Sequence, residues 1–204
     1  PDLRVSGTPL RLMEAAAAAF AAKGFHGTTT RDIAQRAGLS PAGVYVHFDS
    51  KETLLFALCE AGHLAARDML ATAATDPSPV EALREILSQF SRWHAEQYRI
   101  GRIVQYEFGH LTPAHQEVVL ALRKEIDGVV RDVLVRGSRD GIFDVDDVSA
   151  TALALTSLCV DVARWYEPGI RRTPDQIAAS NAVLGLRLVG VRIGAPASTR
   201  PDPR

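Results

Sequence analysis

Three observations predict an all-α fold. Apolar residues recur at helical spacing over most of the 204 residues, the helix breakers fall between these runs, and Thr28 to Lys51 reads as two short helices around a tight turn. Leu10 to Lys23 forms an Ala-rich first helix ended by Gly24, with Leu12, Ala16, Ala19 and Phe20 on its packing face and Phe25 and Phe48 completing a small core. Ile33, Ala34 and Ala37 share one face of the second helix, whose threonines Thr28, Thr29 and Thr30 offer hydroxyls for its cap. Gly38 ends it by taking the left-handed conformation, and Leu39 packs inside the bend. The third helix is about two turns, Pro41 to His47, with Ser40 as N-cap and Pro41 where a missing N–H costs nothing.

After Asp49 and Ser50, either of which can cap, a long helix runs from Lys51 to about Ala74, with Leu54, Leu55, Leu58, Ala61, Leu64, Ala65 and Met69 near helical spacing. Thr75 to Pro79 breaks it. Helices follow at Val80 to about Gln97, at Arg99 to His110 with an interruption near Gly109, and at Pro113 to about Arg139, where Asp140-Gly141 turns the chain. Two strongly apolar helices close the fold, Asp146 to Tyr166 and Pro174 to about Ile193, and residues 194–204 have the composition of a disordered tail. No internal repeat is visible.

The Thr28 to Lys51 unit has the makings of a DNA reader. Ala42 and Gly43 keep the N-terminal end of the third helix slim, as a helix entering the major groove end-first requires. Tyr45, His47 and Lys51 supply donors for phosphate oxygens. These residues resemble the TetR family of bacterial transcriptional repressors, whose signature is reproduced by Gly38, Leu39, Ser40, Tyr45, His47, Phe48, Ser50, Lys51, Glu52 and Leu54. The resemblance extends upstream through Ala15 to Phe20, Gly24, Phe25, Thr28 to Thr30 and Asp32-Ile33-Ala34, so it covers about residues 8 to 58. It departs at Ala42 and Gly43, where many members carry Gly then Thr or Ser, so one hydroxyl that could contact DNA is missing.

The resemblance implies DNA contacts from Thr28, Thr29, Thr30, Arg31, Ser40, Pro41, Ala42, Gly43, Tyr45, His47 and Lys51, with Arg31 at a position that contacts bases in some relatives. It implies an N-terminal helix-turn-helix domain over residues 1–50 and a C-terminal helical ligand-binding and dimerisation domain over 51–193. It also implies a homodimer on a palindromic operator, its last two helices forming a four-helix interface. Their small and apolar residues around more than one narrow face suit that, and a purely intradomain bundle is the alternative.

Composition is that of a soluble protein large enough to bury a sizeable core. The net charge is −1, yet residues 1–51 hold six Lys/Arg against four Asp/Glu and the remainder 17 against 20, an asymmetry in the direction a DNA-facing N-terminal domain would show. Cys59 and Cys159 lie within apolar helical runs and are expected as buried free thiols. No apolar run reaches the roughly 20 residues of a membrane span and no signal peptide is visible, so a cytoplasmic location is expected.

An effector is expected in the middle of the chain. Residues 90–110 contain five of the 13 aromatics, Phe90, Trp93, Tyr98, Tyr106 and Phe108, together with His94, a mix of apolar wall and placed polar groups. Plain core packing is the competing explanation for such a stripe. His94, His110 and His115 lack the spacing of a zinc site, so no metal and no cofactor are expected. Ala163 to Gly169, ARWYEPG, followed by Thr173, resembles the C-terminal region of actinobacterial TetR-family regulators of sterol-ring and fatty-acid catabolism, several of which release DNA on binding acyl-CoA thioesters. That resemblance implies that Arg164, Arg171 and Arg172 pair with CoA phosphates, and that Trp165 or Tyr166 stacks on adenine or lines an acyl tunnel. Alternatively, the two aromatics merely end a dimer helix and the arginines are solvated. No phosphate loop, nucleophile elbow or paired carboxylates point to an enzyme. The reading is a ligand-responsive regulator, with a DNA-binding regulator or scaffold lacking a small-molecule effector as the alternative.

Overall fold

The computed structural model describes residues 7–192, so the tail expected to be disordered lies outside the described residues. These residues form ten α-helices and one 3₁₀ turn, and no strand. The first helix, α1 (Gly7–Gly27), is interrupted at Gly24, whose φ of 69° and ψ of 172° put the break where the sequence does. In α2 (Thr30–Ala37) Thr29 is the N-cap: Asp32 N donates to its hydroxyl at 3.1 Å and Thr29 N donates back to Asp32 Oδ2 at 2.8 Å. Gly38 adopts φ 67°, ψ 33°, and Leu39 N closes the cap on Ala34 O. The recognition helix α3 (Pro41–Tyr45) is capped by Ser40 Oγ, which accepts from Gly43 N at 3.1 Å. It is shorter than expected, because His47 N and Phe48 N both turn back to Val44 O.

Of the two possible caps for α4 (Lys51–Ala73), Ser50 takes the role, its Oγ accepting from Thr53 N at 3.1 Å. Helices α5 (Pro79–Glu96), α6 (Tyr98–Tyr106) and α7 (Pro113–Arg139) follow, with the 3₁₀ turn Phe108–His110 where an interruption was expected. The stretch expected as one helix to Tyr166 is instead two, α8 (Val148–Val160) and the single turn α9 (Val162–Trp165), broken at Asp161. At the break Gln105 Nε2 of α6 donates to Val160 O at 3.0 Å, and the Arg102 guanidinium reaches Ala163 O at 2.9 Å and Tyr166 O at 2.9 Å, binding α9 to α6. The last helix is α10 (Pro174–Leu188).

Two cores result. The N-terminal one joins Leu12, Phe20, Ile33 and Val44 to Leu54, Leu55 and Leu58 of α4 and to Ile103, Leu111 and Val119, so it does not stop at residue 50. Each of the three α4 leucines is fully buried or nearly so, which stabilises by about 1.5–3 kcal/mol apiece. The second core unites the C-terminal half of α4, at Ala66 and Leu70, with α5, α7, α8 and α10. There Asn181 of α10 donates to Ser91 Oγ of α5 at 3.0 Å, a satisfied buried polar pair. The 18 residues Val148–Trp165 have a mean hydropathy of 1.2, long and apolar enough by length and composition to be weighed as a membrane span. They run across the break at Asp161, and Ala152, Leu155 and Cys159 pack into the second core.

Candidate functional site

At the N-terminal end, most residues expected to meet DNA are on the surface. Arg31, Ser40, Pro41, Ala42 and His47 are exposed, and Tyr45 is 53% exposed. Thr29 is exposed but engaged in its cap, while Thr30 and Gly43 are half-buried. Two residues differ. Thr28 is wholly buried, its hydroxyl 2.8 Å from Gly24 O and 3.1 Å from Ala19 O, and so it stitches α2 to the end of α1. Lys51 donates from Nζ to Phe25 O at 2.8 Å and to Thr28 O at 3.0 Å, over the Phe25 ring at 4.4 Å. Its ammonium is thus largely committed within the protein. Asp32, hydrogen-bonded by Thr29 and then by Lys23, is held well below the usual carboxylate range. Arg36 and Val46, the latter 78% exposed, share this surface and were not singled out from sequence.

In the helical body a cavity of about 770 Å³, open on one side, lies among five helices. Gly62, His63 and Ala66 of α4, Phe90, Trp93 and His94 of α5 and Gly101 of α6 form its buried side. Lys124 of α7 and Ser149, Ala150, Leu153 and Ser157 of α8 are its exposed lining and mark the mouth. Arg123 and Arg131 add positive charge on α7, with Asp127 paired to Arg131. Lys124 has no ion-pair partner among the described residues. The lining is therefore apolar inside and cationic toward α7.

Two imidazoles sit in the buried wall. His63 Nδ1 lies 2.7 Å from Cys59 O and His94 Nδ1 lies 2.8 Å from Phe90 O. Burial pushes each ring down to about 4, so both are neutral at pH 7. Arg123 donates from Nε to His63 Nε2 at 3.3 Å and lies 4.6 Å from the Phe108 ring centroid. Gly101 permits a close approach: a Cβ there would stand 2.7 Å from that of Ala163.

Of the residues expected to hold an effector, the cavity brings together Phe90, Trp93 and His94 and leaves out the others. Tyr98 and Tyr106 instead border a second cleft of about 480 Å³ between α6 and α1. Phe108 packs into the N-terminal core behind Arg123. Arg164 is held by Asp161 through two contacts of 2.6 and 3.0 Å. Trp165 is partly exposed, and Tyr166 is buried against Tyr98, the ring centroids 5.8 Å apart. Arg171 and Arg172 are exposed in the segment before α10. Arg102 holds the carbonyls of Ala163, Arg164 and Tyr166 against α6, and none of Arg164, Trp165 and Tyr166 lines the cavity.

His63, Gln105, Arg123, Lys124 and Arg131 also line the cavity and were not singled out from sequence. A signal existed in α4, where Gly62-His63 interrupts an apolar face, whereas the α7 cations read as ordinary solvated charges.

Residues 76–189 match the family model described as "Tetracyclin repressor-like, C-terminal domain", and residues 12–58 match "Bacterial regulatory proteins, tetR family". The chain belongs to the TetR family. The transcriptional repressor KstR2 of Rhodococcus jostii is 32% identical over 180 residues, covering 85% of this chain and 86% of that protein. A tetR-family regulatory protein from Rhodococcus RHA1 has a crystal structure that superposes with a TM-score of 0.87 at 35% identity, covering 93% of this chain and all of that one. AibR, in complex with isovaleryl coenzyme A and operator DNA, shares the fold with a TM-score of 0.79 at 23% identity, covering 87% and 97%. This TetR-family chain is thus a transcriptional regulator with a helix-turn-helix DNA-binding unit.

Proposed function

We propose that the protein is a repressor that binds a palindromic operator as a homodimer and releases it when an apolar effector with an anionic end, of the acyl-thioester class, fills the cavity. The observation that carries this reading is helix α4. Its first turns, Leu54 to Leu58, belong to the core of the reader, and one to two turns later Gly62, His63 and Ala66 form the cavity wall. Anything that displaces the wall displaces the reader, so the separation of two readers can leave the roughly 34–36 Å that adjacent half-sites demand. A volume of about 770 Å³ lies within the range of small-molecule sites, and an apolar interior with a cationic rim suits a long apolar group carrying phosphates. The cations on that side are Arg123, Lys124 and Arg131, of which Lys124 is exposed at the mouth, Arg123 is bonded to His63 and Arg131 is paired with Asp127. That the fold neighbour AibR has been crystallised in complex with isovaleryl coenzyme A and operator DNA supports the acyl-thioester class.

Self-association is supported by the exposed leucines of the last helices: Leu153 of α8 is 63% exposed, and Leu184 and Leu188 of α10 are 50% and 55% exposed. A second copy seated on Leu153 would also cover the mouth, to which that residue belongs. The experiment takes an operator selected from random DNA and titrates octanoyl-CoA, octanoate and CoA by calorimetry, with and without that DNA. The thioester is expected to bind tightest and operator to weaken it, by the same factor as the thioester weakens operator. Equal affinities with and without DNA would end the effector reading, and equal affinities for octanoate and octanoyl-CoA would end the thioester assignment.

A further inference from the structure

The buried wall of the cavity contains two histidines in the same local arrangement, and only one of them is satisfied. In each, Nδ1 lies within hydrogen-bond distance of the carbonyl four residues earlier, 2.7 Å for His63 and 2.8 Å for His94. A carbonyl oxygen can only accept, so Nδ1 carries the proton, and a neutral ring then presents Nε2 as a bare acceptor. His63 Nε2 receives Arg123 Nε at 3.3 Å. His94 Nε2 receives nothing from the described residues, although the residue is 5% exposed and its ring forms part of the cavity wall.

The surroundings keep that acceptor in place and uncovered. The rings of Phe90 and Trp93 stand edge-on to the imidazole at 4.5 and 4.9 Å, fixing its plane in an apolar frame. Gly101 of α6 stands beside this edge of the ring, where an added Cβ would meet His94 Cδ2 at an ordinary contact distance of 3.5 Å.

We propose that His94 is the specificity-determining residue of the cavity, its Nε2 accepting a hydrogen bond from a hydroxyl or N–H on the buried part of the effector. The favoured ligand is an apolar molecule bearing an alcohol, phenol or amide N–H at its inner end. A ketone or ether there sets lone pair against lone pair, and a bare hydrocarbon leaves the acceptor unmet. The inference rests on the cavity being the effector site and adds the polarity of its deepest contact.

The test uses 1-naphthol and 1-methoxynaphthalene, which share a ring system and differ in the donor, measured by calorimetry against the full chain. Wild type is expected to bind the naphthol about tenfold tighter, the scale of leaving one buried acceptor unpaired. His94→Phe should remove that preference while still binding the ether. His94→Gln, whose amide oxygen restores an acceptor, should recover it. Circular dichroism establishes that each variant is folded, and if His94→Phe is not, the wild-type pair and His94→Gln decide. Equal binding of both probes by wild type overturns the role of His94 and leaves the cavity reading standing. Binding of neither probe at millimolar concentration overturns both.

Discussion

Glu107 reaches from the end of α6 to the break in α1, its Oε1 accepting the Phe25 amide at 3.3 Å. Its second oxygen lies 3.3 Å from His110 Nε2, and the His110 ring stacks on that of Phe25 with centroids 5.0 Å apart and planes within 8°. Residues 82 positions apart in the chain thus join the cavity-lining helix directly to the reader, alongside the route through α4. Glu107→Ala should leave effector affinity in the absence of DNA within about twofold, because Glu107 does not line the cavity, and should shrink the mutual weakening of effector and operator, typically 5–150-fold in such systems. Effector titrations with and without operator check this, and an unchanged coupling factor would assign the transmission to α4 alone.

Lys51 holds the turn between α1 and α2 rather than standing free at the surface. Removing its two bonds to Phe25 O and Thr28 O should cost about 1–2 kcal/mol of stability. Lys51→Ala is therefore expected to lower the melting temperature and to weaken operator binding through a displaced reader, with the slope of log K against log salt unchanged. A slope reduced by about one unit, at wild-type stability, would show instead that Lys51 neutralises a phosphate.

The reader was legible in the sequence for a physical reason: its caps, its left-handed glycine and its apolar positions are all local, each decided within five residues of itself. Thr29, Gly38 and Ser40 do what their residue types suggest. Lys51 and Thr28 show the limit, since their partners lie in the break of α1 and a hydroxyl or ammonium is equally apt for a carbonyl or a phosphate. The cavity was half legible. Phe90, Trp93 and His94 occupy neighbouring turns of one helix, but the other walls come from α4, α6, α7 and α8, and no periodicity within a segment says which faces of five helices will converge. The position of Arg164 to Tyr166 off the cavity could not be read locally, because Arg102, some 60 residues earlier, holds the carbonyls of Ala163 and Tyr166.

The two buried histidines make stability depend on acidity. Both have folded-state values pushed down to about 4 by burial, against about 6.5 when unfolded, so below pH 6.5 the unfolded chain takes up protons that the folded one refuses. Stability should be unaffected by these groups above about pH 6.5, fall as the pH drops toward 4, and level off below that, with up to about 3 kcal/mol at stake for each. Melting curves across this range should show a slope that His63→Gln and His94→Gln each flatten. An unaltered slope in both variants would place the acid sensitivity elsewhere.

Burial raises the Cys59 and Cys159 thiols to about 12, leaving almost no thiolate at pH 8. Neither should react with a disulfide reagent such as DTNB over an hour in the native protein, and both should react at once in denaturant. Reaction of one thiol under native conditions, on a timescale faster than global unfolding, would reveal a local opening at α4 or α8.

The exposed face of α10 offers the most direct test of assembly. Leu184 and Leu188 are one turn apart, each about half exposed, and neither belongs to the cavity lining. On a monomer they would be an exposed apolar edge of α10, whereas in a two-fold dimer each would meet its own counterpart or a neighbour across the axis, as an isologous interface requires. Replacing both with Arg puts like charges opposite one another at the centre of that contact and leaves the cavity and reader untouched. The double variant should be monomeric by light scattering at micromolar concentration. It should also lose at least about 100-fold in operator affinity, because one reader helix contacts too few bases to hold a site alone. The naphthol probe should still bind it, which separates loss of assembly from loss of folding. If the double variant remains a dimer with wild-type operator affinity, the self-association face is not α10.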